Sequence, residues 1–284
     1  MKRIFLIITL LFIYSNLFGQ DFHEEVAKTY NFSPQKMTAA EQKASLPALD
    51  KFFNMVIKDK DKYLEPLRKE LKRNDNNPYF YYDGGILLFE ISQNKEDLQL
   101  IADALVKADT RDIPPDMYLQ HILRLSIKGA NVIDAALHIL DDTTFKAFIP
   151  QHFLLLEYGT GLGFILPRYA PDLYMDKLIA KFNAVPSTSK KLTCMNLFLY
   201  ANCCKADSFL NSLTDGNQPK EIRDKAAVLL DQTSISKKRD DKKYAQLFEK
   251  RKNVLTRISD EAMDESMKIT MDMRETYKCD DPKK

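Results

Sequence analysis

The sequence predicts an all-α protein, an α-solenoid of stacked antiparallel helix pairs, and three observations lead there. First, one apolar spacing (i, i+3, i+4, i+7) recurs four times between Pro78 and Leu230. It runs through Leu98, Ile101, Ala102 and Leu105, then Ile133, Ala136, Leu137 and Leu140. It returns in Met175, Leu178, Ile179 and Phe182, and again in Ala206, Phe209, Leu210 and Leu213. That spacing places four side chains on one stripe of a helix. Second, the stripes follow one another by 35, 42 and 31 residues, and each gap has room for a second apolar helix. A period of this length is the mark of stacked helix pairs. Third, few segments alternate with period two, the pattern a half-buried strand requires.

The chain opens with Met1-Lys2-Arg3, an apolar run from Ile4 to Tyr14, and small residues towards Gly19. A short basic start, an apolar core and a small residue at its end describe a secretory signal peptide over residues 1–20, cleaved near Gly19 or Gln20. A spanning helix needs about 20 apolar residues, more than this run offers. The cleaved chain is expected in the periplasm or secreted, with no stable membrane span. The full chain carries 42 Lys+Arg and 40 Asp+Glu. Loss of Lys2 and Arg3 leaves 40 of each. Such a balance argues against nucleic acid, whose binders draw affinity from a basic excess.

Residues 21–77 are expected to form an N-terminal helical cap. Pro47 suits the first turn of a helix reaching about Lys60, and Leu49, Phe52, Phe53, Val56 and Ile57 supply its apolar positions. Pro66 interrupts or restarts the pattern before Leu67 and Leu71, and Asn74-Asp75-Asn76-Asn77-Pro78 is a turn that ends the region. Helical pairs then fill residues 78–235. The first helices run about Tyr79 to Ser92 and Glu96 to Asp109, and the next about Pro115 to Lys128 and Asn131 to Asp141, stopped between by Gly129. Phe145 to Glu157 pairs with Pro171 to Asn183, and Ser187 to Asn202 with Lys205 to Asp215. Residues 236–284 are expected to give one long or once-broken helix and a tail. Its mixed-sign stretch Lys237 to Lys243 reads as a solvated face, and Met263, Met267, Met271 and Met273 as an apolar contact surface.

The helix Pro219-Lys220-Glu221-Ile222-Arg223-Asp224-Lys225-Ala226-Ala227-Val228-Leu229-Leu230 resembles the first helix of a HEAT-type repeat. The likeness lies in an apolar residue followed by Arg, small Ala positions, and Leu on the packing face. It covers about a dozen residues, and the other units share its apolar rhythm without the Arg. The resemblance implies a stacked-helix scaffold that binds proteins or peptides, and it implies no catalytic residue.

Residues that could carry chemistry are few. Cys194 and Cys203 fall on one helix about 13.5 Å apart, beyond disulfide reach. A bridge, where one forms, joins Cys279 to one of Cys194, Cys203 and Cys204; otherwise the cysteines are small buried apolar residues. Gly159-Thr160-Gly161-Leu162-Gly163 lacks the third glycine of a dinucleotide loop, since Phe164 stands there, and Pro167 would break the helix that holds the pyrophosphate. It reads as a link in the longest repeat step. His23, His121, His138 and His152 show no metal-ligand spacing, and Asp134, His138 and Asp141 could share a helix face as surface hydrogen-bond partners. No cofactor and no metal site is therefore expected. The run Tyr79-Phe80-Tyr81-Tyr82-Asp83-Gly84-Gly85 holds four aromatics that surround a helix. Either they pack the cap onto the first repeat, with Gly84 permitting close contact, or Tyr81 and Tyr82 reach a binding groove.

The function expected is an exported, non-catalytic scaffold whose helical surface holds a protein or peptide in the cell envelope. The alternative is an exported enzyme of helical-toroid type acting on an envelope or extracellular substrate such as a glycan. The absence of Trp weighs against glycan recognition.

Overall fold

A computed structural model describes residues 21–31, 37–92, 94–109, 113, 115–140, 162–166, 169, 171–201, 203–233 and 241–254, with positions 265, 268, 269 and 272. Residues 21–29 are helical. Twelve further helices follow among the described residues: α1 (Ala39–Lys58), α2 (Lys60–Lys72), α3 (Pro78–Ile91), α4 (Lys95–Leu105), α5 (Pro115–Ile127), α6 (Ile133–His138), α7 (Leu162–Ile165), α8 (Pro171–Ala184), α9 (Thr188–Ala201), α10 (Cys204–Ser212), α11 (Lys220–Thr233) and α12 (Asp241–Val254). No strand occurs among the described residues, so the chain is all-α there. It divides into two compact units, Met1–Asp112 with Lys128–Ala135, and Ile113–Ile127 with Ala136–Lys284. The turn at 74–78 lies inside the first unit, where α2 and α3 on its two sides pack together, and the chain parts near residue 112. Of the C-terminal segment, α12 is described; Ser236, Cys279 and the four methionines lie outside the described residues.

The two N-terminal prolines act differently from the reading above. Helix α1 begins eight residues before Pro47, because Thr38 and Glu41 form a reciprocal capping box. The Thr38 hydroxyl accepts from the Glu41 amide at 3.3 Å, and the Thr38 amide donates to Glu41 Oε2 at 2.7 Å. Pro47 is therefore interior, where it removes the N–H that would meet the Lys43 carbonyl. Pro66 likewise lies inside α2 rather than at its start. Pro47 is exposed and Pro66 partly exposed.

The first unit is built around α3. Asn77 caps it by accepting from the Tyr79 amide at 3.1 Å, and Pro78 occupies the first turn. Phe80, Tyr81, Tyr82, Gly84, Gly85, Leu87, Leu88 and Phe89 are all buried, which makes α3 apolar on nearly every side. α1, α2 and α4 all pack on it. Gly84 is a close-approach position: a Cβ there would lie 2.9 Å from Phe80 Cζ and 3.1 Å from Leu71 Cδ2. Phe22 and Val26 of the helical segment 21–29, and Tyr30 just after it, join the same core. Phe22 stacks on Phe52 at 5.8 Å, and Tyr30 meets Phe80 edge-on at 5.3 Å. At the far end, Arg68 forks onto Asp97 through Nε at 2.7 Å and Nη2 at 2.6 Å, while Asn94 caps α4 through the Asp97 amide.

The apolar stripes are buried where the sequence put them. Every member is in the core except Ile179 and Phe209, which are partly exposed. Phe209 still stacks on Phe198 at 5.0 Å and meets Phe182 edge-on at 5.3 Å. In α11 the residues Ile222, Ala226 and Leu229 are buried, as an amphipathic packing helix requires. Arg223 leaves that face, and its Nη1 donates to the Gly216 carbonyl at 3.1 Å.

Cys194 and Cys203 are buried thiols, and Cys204 is disulfide-bonded to a partner outside the described residues. Burial pushes the Cys194 thiol up to about 12, so it is unreactive in the folded protein. Thiol titration of denatured, unreduced protein is expected to count two of the four cysteines. A count of four would remove the disulfide.

Candidate functional site

The aromatic run on α3 resolves into packing and helix termination. Tyr81 is 2% exposed and Tyr82 6%. Phe80, Tyr81 and Tyr82 go inward because neighbouring helices cover most of α3, and Tyr79 stays partly exposed on the stripe it shares with Asp83, Ile86 and Glu90. The polar tip of Tyr81 is also engaged. Its hydroxyl donates to the Arg73 carbonyl at 2.9 Å, at the C-terminal end of α2. Lys107 crosses the same point: its ammonium lies 5.2 Å from the Tyr81 ring centre and donates to the carbonyls of Leu71, Lys72 and Arg73 at 3.2, 3.3 and 2.8 Å. A cation there offsets the negative end of the helix dipole and satisfies carbonyls that have no intrahelical donor. Desolvation lowers the Lys107 pKa, with the Asp103 carboxylate opposing it. Desolvation likewise raises Tyr81.

Around this cap the charged groups are paired among themselves. Glu70, 3% exposed, meets His23 Nδ1 at 2.9 Å and Arg73 Nε at 3.8 Å. Arg73 forks onto Asp75 at 2.8 and 2.6 Å, and a hydrogen bond from Arg73 holds the Asp75 carboxyl below its ordinary value. Asn76 Nδ2 donates to the Glu70 carbonyl at 2.9 Å. The His23 contact joins segment 21–29 to α2, and the contacts of Arg73 and Asn76 with Glu70 tie α2 to the following turn, so the cluster fastens these elements together.

The other residues flagged in the sequence are scattered. His121 is buried on α5, and desolvation pushes its imidazole down to about 4, with Arg124 adding to the effect. His138 and Asp134 share α6. His152, Asp141, Gly159, Thr160 and Gly161 lie outside the described residues, and Gly163 is buried in α7. No group of three His, Cys, Asp or Glu able to hold a metal occurs among the described residues. No helix among them is long and apolar enough to cross a membrane.

What the sequence reading missed is the outer face of α1. From Ala40 to Lys51 the helix is exposed apart from Ser45 and Leu49, which are partly covered; it enters the core only through Phe52 and Val56. Along it Leu46 is 53% exposed and Ile57 49%. Leu49 and Phe53 lie partly exposed beside them, so the four make one continuous stripe at helical spacing. Elsewhere among the described residues the exposed large apolar residues are Val106, Met117, Leu173 and Val228, each from a different segment of the chain. A solitary apolar residue on a surface is ordinary, whereas a contiguous stripe is a candidate interaction face. The signal for it was Thr38-Ala39-Ala40-Glu41, which begins the helix early enough to place Leu46 within it. No protein-family model, curated protein or solved structure matches this chain.

Proposed function

We propose that the protein is an exported, non-catalytic helical scaffold that holds a protein or peptide in the cell envelope, and that it docks its partner on the outer face of α1. The carrying observation is the stripe of Leu46, Leu49, Phe53 and Ile57 on a helix otherwise joined to the core by two residues. Export is supported by the N-terminal signal pattern and by the disulfide at Cys204, a bond characteristic of oxidising compartments. A stacked-pair, HEAT-like organisation is supported by the way helices meet. Within the first unit α2 touches both α3 and α4, and within the second α9 touches both α10 and α11. Contact with the next helix and the next but one is what a layered helical array requires.

The test is a pull-down from envelope extract with the purified protein and with a Leu46→Lys/Ile57→Lys variant as baits. Both positions are half exposed, so the variant is expected to keep the wild-type circular dichroism. A protein enriched by the wild type and lost with the variant supports the reading. Equal recovery by both removes α1 as the docking face, and nothing above control removes another envelope protein as the partner.

A further inference from the structure

We infer that the partner seated on α1 is a second copy of this chain, paired antiparallel along the exposed half of the helix. The inference rests on the reading of α1 as a docking face and names its occupant. Gln42, Leu46, Leu49 and Phe53 step by four, three and four residues, the seam spacing of a two-stranded coiled coil. In heptad terms Leu46 and Phe53 take a positions, and Gln42 and Leu49 take d positions. Lys43 and Asp50 then both fall at e, on the flank of the seam turned away from Phe52 and Val56, and both are exposed.

That flank fixes orientation. In an antiparallel pair an a residue packs against a partner d residue, and e positions meet e positions. Leu46 then layers on the partner copy's Leu49, twice by symmetry, and Phe53 lies over the partner copy's Gln42. In this one register Lys43 faces the partner copy's Asp50, and Asp50 faces the partner copy's Lys43. Two opposite-charge contacts therefore form about the two-fold axis. A parallel pair would set Asp50 against Ser45, with no such match. Pro47 falls at b, outside the seam, so its ring does not meet the partner helix. A seam of two heptads is at the small end of specific interfaces, below about 1,200 Å² in total, so association is expected to be reversible and concentration-dependent.

The test is sedimentation velocity of the purified protein from micromolar to submillimolar concentration. The mass is expected to move from one copy to two. Lys43→Glu alone and Asp50→Lys alone each place like charges at both contacts and are expected to weaken pairing about tenfold. Two results are specific to the antiparallel register. The double variant Lys43→Glu/Asp50→Lys is expected to pair like the wild type, and an equimolar mixture of the two single variants is expected to form mixed dimers. A single-copy mass throughout, or pairing indifferent to all four proteins, overturns the inference. Loss of partner capture in Leu46→Lys/Ile57→Lys, seen alongside a single-copy mass, would leave the α1 face standing and assign it to another protein.

Discussion

Phe80→Ala is expected to lower the unfolding free energy by about 3–5 kcal/mol, the largest effect of any single truncation argued for this protein. Phe80 is fully buried on α3, with Tyr30 edge-on at 5.3 Å and Tyr81 at 6.1 Å. Its ring tip also fills the space over Gly84, where a Cβ would come within 2.9 Å of it. Truncation removes the transfer free energy of the ring and leaves a cavity whose walls are held by helices on several sides. The penalty for the empty volume therefore adds to the first loss. Urea unfolding followed by circular dichroism checks the size. Tyr79→Ala, one residue earlier and partly exposed, is the internal control and is expected to cost less than about 1 kcal/mol. Equal losses at the two sites would mean that α3 is not the centre of the unit.

The same helix shows how far the sequence could be read. Apolar stripes at Leu98–Leu105 and Ala206–Leu213 were legible because burial on one face imposes a period that survives in the residues themselves. α3 offered no such contrast. Its exposed stripe of Tyr79, Asp83, Ile86 and Glu90 carries only two charged residues, too weak a contrast to set the helix's phase, so its aromatics could be counted but not assigned inward or outward. Pro47 misled for a different reason. Proline is favoured in a first turn and disfavoured inside a helix, but the capping box at Thr38 and Glu41 starts the helix regardless. With the start misplaced, Leu46 stood ahead of the helix and the α1 stripe lost its first member. The contacts of Lys107 with carbonyls 34–36 residues away depend on the tertiary path alone, and nothing local in sequence announces them.

Asp83→Asn is expected to stabilise the protein by about 2 kcal/mol at pH 7.5 and to leave it unchanged near pH 4. Asp83 lies on α3 between the core and the solvent edge, accepting a hydrogen bond from the Tyr30 hydroxyl at 3.0 Å. Desolvation pushes its carboxyl up to about 6 from an ordinary 3.8, against the opposing pull of that hydrogen bond. The sign follows from proton uptake. Between pH 4 and 6 the folded state holds a proton that the unfolded state has lost, so unfolding releases it and stability falls as pH rises through this window. Above the window the folded protein carries an ionised carboxylate where the neutral acid is preferred. The interval corresponds to about 3 kcal/mol at full desolvation, and the partial solvent access of Asp83 reduces it to about 2. Asparagine keeps an acceptor for Tyr30 and never ionises, so it resembles the protonated acid at every pH. Other titrating groups shift both proteins alike and cancel in the difference. The measurement is paired urea unfolding of the two proteins from pH 4 to 8, read as that difference. A gap that opens between pH 4 and 6 and then stays level locates the penalty at Asp83, whereas a constant gap would assign the effect to packing.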